Sequence, residues 1–254
     1  MAKILVTGST DGIGKETARQ LAAGGAHVIV HGRSEERAAA AAKEVSAAAS
    51  WVCDFGSLAD VRRAAGQWPE GVEVLVNNAG VYLQERQTTA DAFEATFQVN
   101  HLAPFLLTNL VLPALATGAR IVNVSSQVHA GAEMAWDDLM GEKQYSGYGA
   151  YAQSKLANLL FTRALAQRQK KATVNALHPG VIATKLLRSG FGARMGGALA
   201  QGAETPVYLA TSKEVEGVTS AYFVNRRETR PSPRALDDAA AQRLWDLSAR
   251  LVDL

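Results

Sequence analysis

Tyr151 and Lys155 stand four residues apart in a segment, 150–169, whose sequence predicts a helix. Side chains at positions i and i+4 lie on one helix face, so the phenol and the ammonium should be neighbours. A nearby ammonium favours the phenolate and is expected to lower the pKa of Tyr151 from its usual value of about 10. Such a tyrosine can protonate a carbonyl oxygen or deprotonate an alcohol. Tyr145 and Tyr148 lack a lysine four residues on, although such a pair can also lie on a solvated helix face.

Two hydroxyl groups, those of Ser125 and Ser126, follow the apolar run Arg120-Ile-Val-Asn-Val124. This run predicts a buried strand. A hydroxyl at the carboxyl end of a strand is well placed to hydrogen-bond a substrate oxygen. The alternative is that the serines only cap a turn.

A glycine-rich loop, Thr7-Gly8-Ser9-Thr10-Asp11-Gly12-Ile13-Gly14, follows the first predicted strand and opens the first predicted helix. Glycine permits positive φ and close backbone approach, and a helix amino terminus offers free N–H groups to a pyrophosphate. The spacing GxxxGxG differs from the GxGxxG dinucleotide fingerprint. A tight turn without a ligand is the alternative, but the position directly after the first strand favours nucleotide binding.

The end of the second predicted strand bears on the choice of cofactor. Gly32 stands where an acid would bind the ribose 2′-hydroxyl of NAD, and Arg33 follows it. A guanidinium can pair with a 2′-phosphate in a bidentate way, which favours NADP over NAD. The alternative is that Arg33 is a solvated loop residue. Asp54-Phe55, at the end of the third predicted strand, could touch an adenine or could equally begin a helix.

Two asparagine positions are ambiguous from the sequence. Asn77-Asn78-Ala79-Gly80 closes the fourth predicted strand and could pack on a cofactor or stabilise the sheet. Asn100 lies inside a predicted helix, where asparagine is usually a surface residue or marks a kink.

Short apolar runs alternate with longer helical patterns along the chain, which predicts an α/β fold with a parallel sheet and helices on both faces. No linker divides residues 1–254, so we expect one domain. The glycine-rich segment Gly190–Gly202 is expected to form a mobile loop over the site, within a substrate-binding segment at about 183–202. The predicted strands are Lys3–Thr7, His27–His31, Ser50–Cys53, Val74–Val76, Arg120–Ser125, Thr173–Leu177 and Ser220–Phe223. The predicted helices are Gly12–Ala23, Ser34–Ala47, Leu58–Gln67, Thr89–Ala116, Ala150–Gln169, Glu204–Ala210 and Ala235–Val252.

The composition excludes several classes of protein. A net charge of +2 gives no support to a nucleic-acid or membrane-surface binder. One cysteine, Cys53, excludes a disulfide framework, and the five histidines lack a metal-ligand spacing, so no metal site is expected. No signal peptide is apparent, and the apolar run Leu102–Ala116 is shorter than the roughly 20 residues of a membrane span. We expect a cytoplasmic protein without a membrane anchor.

Taken together, these residues resemble the short-chain dehydrogenase/reductase family. The matching motifs are TGSTDGIG at 7–14, NNAG at 77–80, Asn100, NVSS at 123–126, Tyr151-x-x-x-Lys155 and His178-Pro179-Gly180. The resemblance implies a single Rossmann-like, doubly wound domain with a seven-stranded parallel sheet. It assigns catalysis to Asn100, Ser126, Tyr151 and Lys155, and Ser126 rather than Ser125 is the matching serine. In the family pattern, Asn100 distorts its helix and holds a water in a proton relay from Lys155.

The resemblance also bears on the residues that contact the cofactor. The segment Pro179–Thr184 resembles the one that orients the nicotinamide carboxamide, and Lys155 is expected to bind the ribose hydroxyls. The cofactor-binding residues so predicted are Gly8, Ser9, Thr10, Asp11, Gly12, Ile13, Gly14, Arg33, Asp54, Phe55, Asn77, Ala79, Gly80, Tyr151, Lys155, Pro179, Gly180, Ile182 and Thr184.

Longer stretches are similar to the retinol dehydrogenase branch of the family. They include VNHLAPFLLTNLVLP at 99–113, RIVNVSSQVHA at 120–130 and AYAQSKLANLLFTRALA at 150–166. That branch implies reversible, NADP(H)-linked interconversion of hydrophobic carbonyl compounds and alcohols, with NAD as a possible substitute and a homodimer or homotetramer as a possible assembly. One competing class is a non-enzymatic nucleotide-sensing domain on the same fold. The other is a structural protein, which only the apolar helix at Leu102–Ala116 would favour.

Overall fold

The structure is a computed structural model and describes residues 1–192 and 195–254, without the side chains of Ser189 and Phe191. Its centre is one eight-stranded sheet with the strand order β3-β2-β1-β4-β5-β6-β7-β8. The pairs from β3 to β7 are parallel, and β8 runs antiparallel to β7. The strands are β1 (Lys3–Val6), β2 (His27–Gly32), β3 (Ala49–Val52), β4 (Val74–Asn77), β5 (Ala119–Val124), β6 (Ala172–His178), β7 (Tyr222–Val224) and β8 (Arg227–Glu228).

Helices cover both faces of the sheet, because the strands bury apolar side chains alternately on each side. In β1, Leu5 packs in one core, whereas Ile4 and Val6 pack in the other. The first core lies under α3, α5, α6 and α9, and the second lies under α1, α2 and α8. The helices are α1 (Gly12–Ala23), α2 (Glu35–Glu44), α3 (Leu58–Ala65), α4 (Ala95–Phe97), α5 (Ala103–Val111), α6 (Gly147–Arg168), α7 (Lys185–Phe191), α8 (Leu199–Thr211) and α9 (Asp238–Leu251).

The α/β class and the parallel core of the sheet are confirmed, but the expected seven-stranded, all-parallel sheet is wrong by one strand. The extra strand β8 is formed by a hairpin whose two turn residues, Asn225 and Arg226, have φ of 50° and 62°. Two consecutive residues with positive φ are the geometry of the tight turns that join antiparallel strands.

Two predicted segments also differ from the structure. The helix expected over Thr89–Ala116 begins only at Ala95 and is interrupted by a π-helical segment, Gln98–Leu102. The expected loop Gly190–Gly202 instead contains the end of α7 and the beginning of α8, although residues 193–194 lie outside the described parts of the chain. Within the described residues, we find no helix with the length and apolar character that crossing a membrane requires.

The order of the strands fixes where a ligand can bind. Connections lead from β1 outward to β2 and β3, and then back across the sheet to β4. The carboxyl ends of β1 and β4 therefore flank the crevice at which open α/β sheets bind ligands.

Candidate active site

Tyr151 and Ser126 lie together at the carboxyl end of β5. Tyr151 sits in the first turns of α6, which begins where the Ser146 side chain accepts a hydrogen bond from the N–H of Gly149. Tyr151 is 7% exposed as a residue, and its phenol hydrogen-bonds with the Ser126 side chain. The two hydroxyl groups therefore meet at one point, as the chemistry proposed for them requires.

Lys155 lies one turn further along α6 and is buried beneath Tyr151. Its Nζ is 5.4 Å from the centroid of the Tyr151 ring and donates a hydrogen bond to the Val124 carbonyl over 3.1 Å. Both residues are buried, so the solvated-face alternative for this spacing does not apply.

Burial acts on both members of this pair. Burial raises the pKa of Tyr151, and the hydrogen bond with Ser126 offsets only part of that effect. Burial also lowers the pKa of Lys155 to about 8. The expectation that the pKa of Tyr151 would be lowered is therefore wrong, because the loss of water around the buried phenol is the dominant effect.

The two adjacent serines have different partners. Ser125 is buried, and its Oγ donates to the Lys155 carbonyl over 2.7 Å. Ser126 caps a short 3₁₀ turn, where its Oγ accepts from the Val128 N–H at 3.4 Å, and it also reaches Tyr151. The turn-capping role considered from the sequence is thus real, but it coexists with the contact to Tyr151.

Asn100 lies inside the π-helical segment and is buried. Its Oδ1 accepts from the Val81 N–H over 2.7 Å, and its Nδ2 donates to the Val81 carbonyl over 3.0 Å and to Ser154 Oγ over 2.9 Å. A wider helical turn is common at functional sites. Here it allows one amide to hold the segment after β4 against α6. The water relay implied by the resemblance stays a prediction.

Gly80 lies against two members of the predicted set. A Cβ at Gly80 would be 3.3 Å from Asn100 Oδ1 and 3.4 Å from Lys155 Nζ. Asn100 and Lys155 therefore line the same small space, which a side chain at position 80 would begin to fill.

The glycine-rich loop joins β1 to α1 with a close backbone fold. Gly8 has φ of +61°, and a Cβ there would come within 2.7 Å of the Ala79 Cα. A Cβ at Gly14 would come within 2.4 Å of the Gly8 carbonyl oxygen. Only glycine fits at these positions, so the loop requires the spacing read from the sequence.

The first turn of α1 leaves backbone N–H groups free for an anion. Asp11 Oδ1 accepts from the Gly12 N–H over 2.8 Å, and the next N–H groups, those of Ile13 and Gly14, have no partner within the helix. A helix amino terminus with this arrangement suits a phosphate. The residues present therefore fit a dinucleotide pyrophosphate.

Thr7 and Asn78 connect the glycine-rich loop to the loop after β4. Thr7 Oγ1 accepts from the N–H groups of Asn78 and Ala79, at 2.9 and 3.0 Å. Asn78 Nδ2 donates to the Thr7 carbonyl over 2.8 Å. Sequence reasoning assigned no role to the side chain of either residue, because the contact joins two distant parts of the chain.

The segment after β6 also lies close to the glycine-rich loop. Thr184 caps α7 by accepting from the Leu187 N–H over 3.1 Å, and its methyl group would be 3.7 Å from a Cβ at Gly12. Lys185 Nζ is 2.6 Å from the Asp11 carboxylate, which lowers the pKa of Asp11. Pro179 and Gly180 are half-buried, and Ile182 is buried.

Arg33 is exposed at the end of β2, as a residue that contacts a 2′-phosphate must be. Asp54 is exposed as well, and its Oδ1 accepts from the Gly56 N–H over 2.9 Å in the turn before α3. The turn considered as the alternative role of Asp54 is therefore present, and the adenine contact stays a prediction.

Three residues predicted to bind the cofactor have side chains directed into the interior. The Phe55 ring is 4% exposed and stacks on His31 at 4.8 Å, so it is not available to an adenine. Asn77 Nδ2 donates to Thr108 and Asn123 in the core, which makes it a support for the sheet. Ser9 Oγ donates to the Val6 carbonyl over 2.7 Å. The adenine contact expected of Phe55 is therefore wrong, Asn77 has the sheet-stabilising role considered as its alternative, and cofactor binding at Ser9 stays a prediction.

The sequence profile of the family described as "short chain dehydrogenase" matches residues 2–193. The chain belongs to the short-chain dehydrogenase family. It is 39% identical to human retinol dehydrogenase 13, over 99% of this chain and 84% of that protein, and therefore falls in the retinol dehydrogenase-like branch.

Two solved structures of similar proteins bear on fold and cofactor. The structure of an uncharacterized protein from Mycobacterium paratuberculosis has a TM-score of 0.87 and 33% identity, covering 100% of this chain and 94% of that one. A short chain dehydrogenase from Burkholderia cenocepacia J2315 in complex with NADP has a TM-score of 0.69 and 26% identity, covering 87% and 95%. As a short-chain dehydrogenase, this chain is an alcohol/carbonyl oxidoreductase, and these similarities support a nicotinamide cofactor.

Proposed function

We propose that this short-chain dehydrogenase uses NADP(H) to interconvert a hydrophobic aldehyde or ketone and its alcohol. The observation that carries the proposal is the hydrogen-bonded pair Tyr151–Ser126 with Lys155 buried beside it. The whole chain of residues 1–254 is taken to act as one catalytic domain, with the segment at about 183–202 on the substrate side.

The cofactor is expected to lie with its pyrophosphate at Gly8–Gly14, and it supplies or accepts the hydride when bound. Ile13 and Gly14 would offer N–H groups to the pyrophosphate. The exposed guanidinium of Arg33 would pair with a 2′-phosphate, which supports NADP over NAD.

Tyr151 acts as the general acid during reduction. Its phenolic proton passes to the carbonyl oxygen as the carbonyl carbon receives the hydride, and the reverse transfer serves alcohol oxidation. Ser126 donates a hydrogen bond to the same oxygen and stabilises its developing charge. Because burial raises the pKa of Tyr151, the phenol keeps its proton at neutral pH, which suits the reductive direction.

Lys155 and Asn100 support this proton transfer. The Lys155 ammonium stabilises the phenolate that forms when Tyr151 gives up its proton, and it is proposed to bind the cofactor ribose. Asn100 fixes the segment after β4 through Val81 and is proposed to hold the relay water.

The hydrophobic substrate class rests on the similarity to retinol dehydrogenase 13. The test is NADPH oxidation with a panel of hydrophobic aldehydes, ketones and quinones. Turnover by Tyr151→Phe should be at least about a thousandfold lower than that of wild type, while the Kd for NADPH stays within about twofold of the wild-type value. Binding of NADPH without turnover of any substrate would instead favour a nucleotide-sensing protein.

A further inference from the structure

Tyr82 places a second aromatic ring next to Tyr151. It lies in the segment after β4, two residues beyond Gly80. The centroids of the Tyr82 and Tyr151 rings are 5.4 Å apart, and the ring planes are tilted by 47°. Tyr82 is half-buried.

Helix α7 packs against the root of the Tyr82 side chain. Gly190, near the end of α7, is buried, and a Cβ there would come within 2.6 Å of Tyr82 Cγ and 2.7 Å of Cδ1. No real Cβ tolerates such contacts, so the ring can occupy this position only because residue 190 is glycine.

The backbone before Tyr82 is also fixed. Asn100 binds both the N–H and the carbonyl of Val81, at 2.7 and 3.0 Å. Asn100 therefore fixes the backbone next to Tyr82, and α7 passes close to the base of the Tyr82 side chain.

A carbonyl compound whose oxygen reaches Tyr151 and Ser126 must extend its carbon skeleton past the side chains around Tyr151. An aromatic ring next to Tyr151 offers offset stacking to a flat group and none to a puckered one. Building on the proposed function, we propose that Tyr82 is a specificity-determining residue that favours flat, conjugated carbonyl compounds over saturated ones of the same size.

The experiment compares cinnamaldehyde with 3-cyclohexylpropanal as substrates of the NADPH-loaded enzyme. The ratio of their kcat/KM values should fall about three- to tenfold in Tyr82→Ala, because only the flat substrate loses its stacking partner. Tyr82→Phe keeps the ring and should keep the ratio. An unchanged ratio in Tyr82→Ala overturns the proposal.

Gly190→Ala provides an independent variant. The added methyl group should displace the ring and lower the same ratio, whereas Tyr82→Ala/Gly190→Ala should match Tyr82→Ala alone, since the obstacle is gone. Gly66→Ala, at the end of α3, is the control, because a Cβ there makes only ordinary contacts. Additive effects of the two substitutions in the double variant contradict the proposal.

A binding measurement separates this inference from the proposed function. Cinnamamide and 3-cyclohexylpropanamide cannot be reduced by hydride transfer under these conditions, and calorimetry gives their Kd values on the NADPH-loaded protein. Wild type should prefer cinnamamide about three- to tenfold, and Tyr82→Ala should lose that preference. Selective binding without turnover of either aldehyde would contradict the proposed function alone, and unselective or absent binding overturns the role of Tyr82.

Discussion

The imidazole of His31 accepts a hydrogen bond from the backbone N–H of Gly8, with 2.8 Å between Gly8 N and His31 Nδ1. His31 Nε2 lies 2.9 Å from the Cys53 carbonyl oxygen, which can only accept, so Nε2 carries the proton and Nδ1 is the acceptor. A buried histidine in β2 thus holds the first glycine of the proposed pyrophosphate loop.

Replacing His31 with leucine should weaken cofactor binding. The Gly8 N–H would lose its partner and the loop would lose its fixed position, so we expect the Kd for NADPH to rise about five- to tenfold. Fluorescence titration with NADPH measures this change. His31→Asn is the matched control, since its amide oxygen can replace Nδ1, and equal weakening by both variants would contradict a specific role of the Gly8 bond.

Buried histidines should make the fold sensitive to acid. Burial lowers the pKa of His31 to about 4 and that of His178 to about 4, whereas both titrate at about 6.5 when unfolded. The unfolded chain therefore binds more protons between these values, and the free energy of unfolding falls as pH drops from about 6.5 to 4. Each of these two histidines should lower the free energy of unfolding by roughly 2–3 kcal/mol at about pH 4.

Urea denaturation at a series of pH values tests the loss of stability. His178→Gln should unfold with a weaker dependence on pH than wild type over this range. His27 is exposed, so His27→Gln should behave as wild type. A free energy of unfolding that stays level down to about pH 4.5 would show that the buried imidazoles do not control it.

Arg33→Ala should discriminate between the two nicotinamide cofactors. Only NADPH carries the 2′-phosphate, so loss of a charge-assisted bidentate contact should raise its Kd about 10- to 100-fold while the Kd for NADH changes less than twofold. Parallel titrations with both cofactors provide the measurement. Arg250→Ala, an exposed arginine at the end of α9, is the control. Equal weakening of NADPH and NADH would remove the specificity argument.

The rate of carbonyl reduction should decline in mildly alkaline solution. The pKa of Lys155 is lowered to about 8 by burial, so its ammonium is lost above that pH, while Tyr151, whose pKa is raised, stays protonated. We expect kcat/KM for reduction to be level between about pH 6 and 7.5 and to fall above about 8.

Lys155→Arg gives the matched comparison, since a guanidinium keeps its charge throughout this range. Whatever its absolute rate, its pH profile should lack the fall near 8. A fall at the same pH in both proteins would assign the titration to another group.

Local sequence patterns were sufficient for most of the fold. Buried strands such as β1 and β5 are continuous aliphatic runs, and their positions were predicted to within a few residues. Strand β8 was missed because Arg227 and Glu228 are charged and exposed and carry no strand pattern. It exists because the turn at Asn225–Arg226 returns the chain to β7.

In the candidate site, too, only the relationships between residues close in sequence could be predicted. The Tyr151–Lys155 pair was predictable because both residues lie on one helix, where spacing alone fixes their proximity. The contacts of His31 with Gly8 and of Tyr82 with Gly190 join segments that are far apart in sequence, so no local pattern reveals them. Phe55 lies just after β3 and Asn77 ends β4, as predicted, but the sequence did not indicate which way each side chain turns.

Ser125 and Ser126 together control how α6 is seated on the sheet. The Ser125 hydroxyl donates a hydrogen bond to the backbone carbonyl of Lys155, and the Ser126 hydroxyl hydrogen-bonds with the Tyr151 phenol one turn earlier. Sliding or rolling the helix by a single residue would break both attachments at once. The Tyr151 phenol is therefore held in alignment with β5, and its position is set by the central sheet rather than by the surrounding loops.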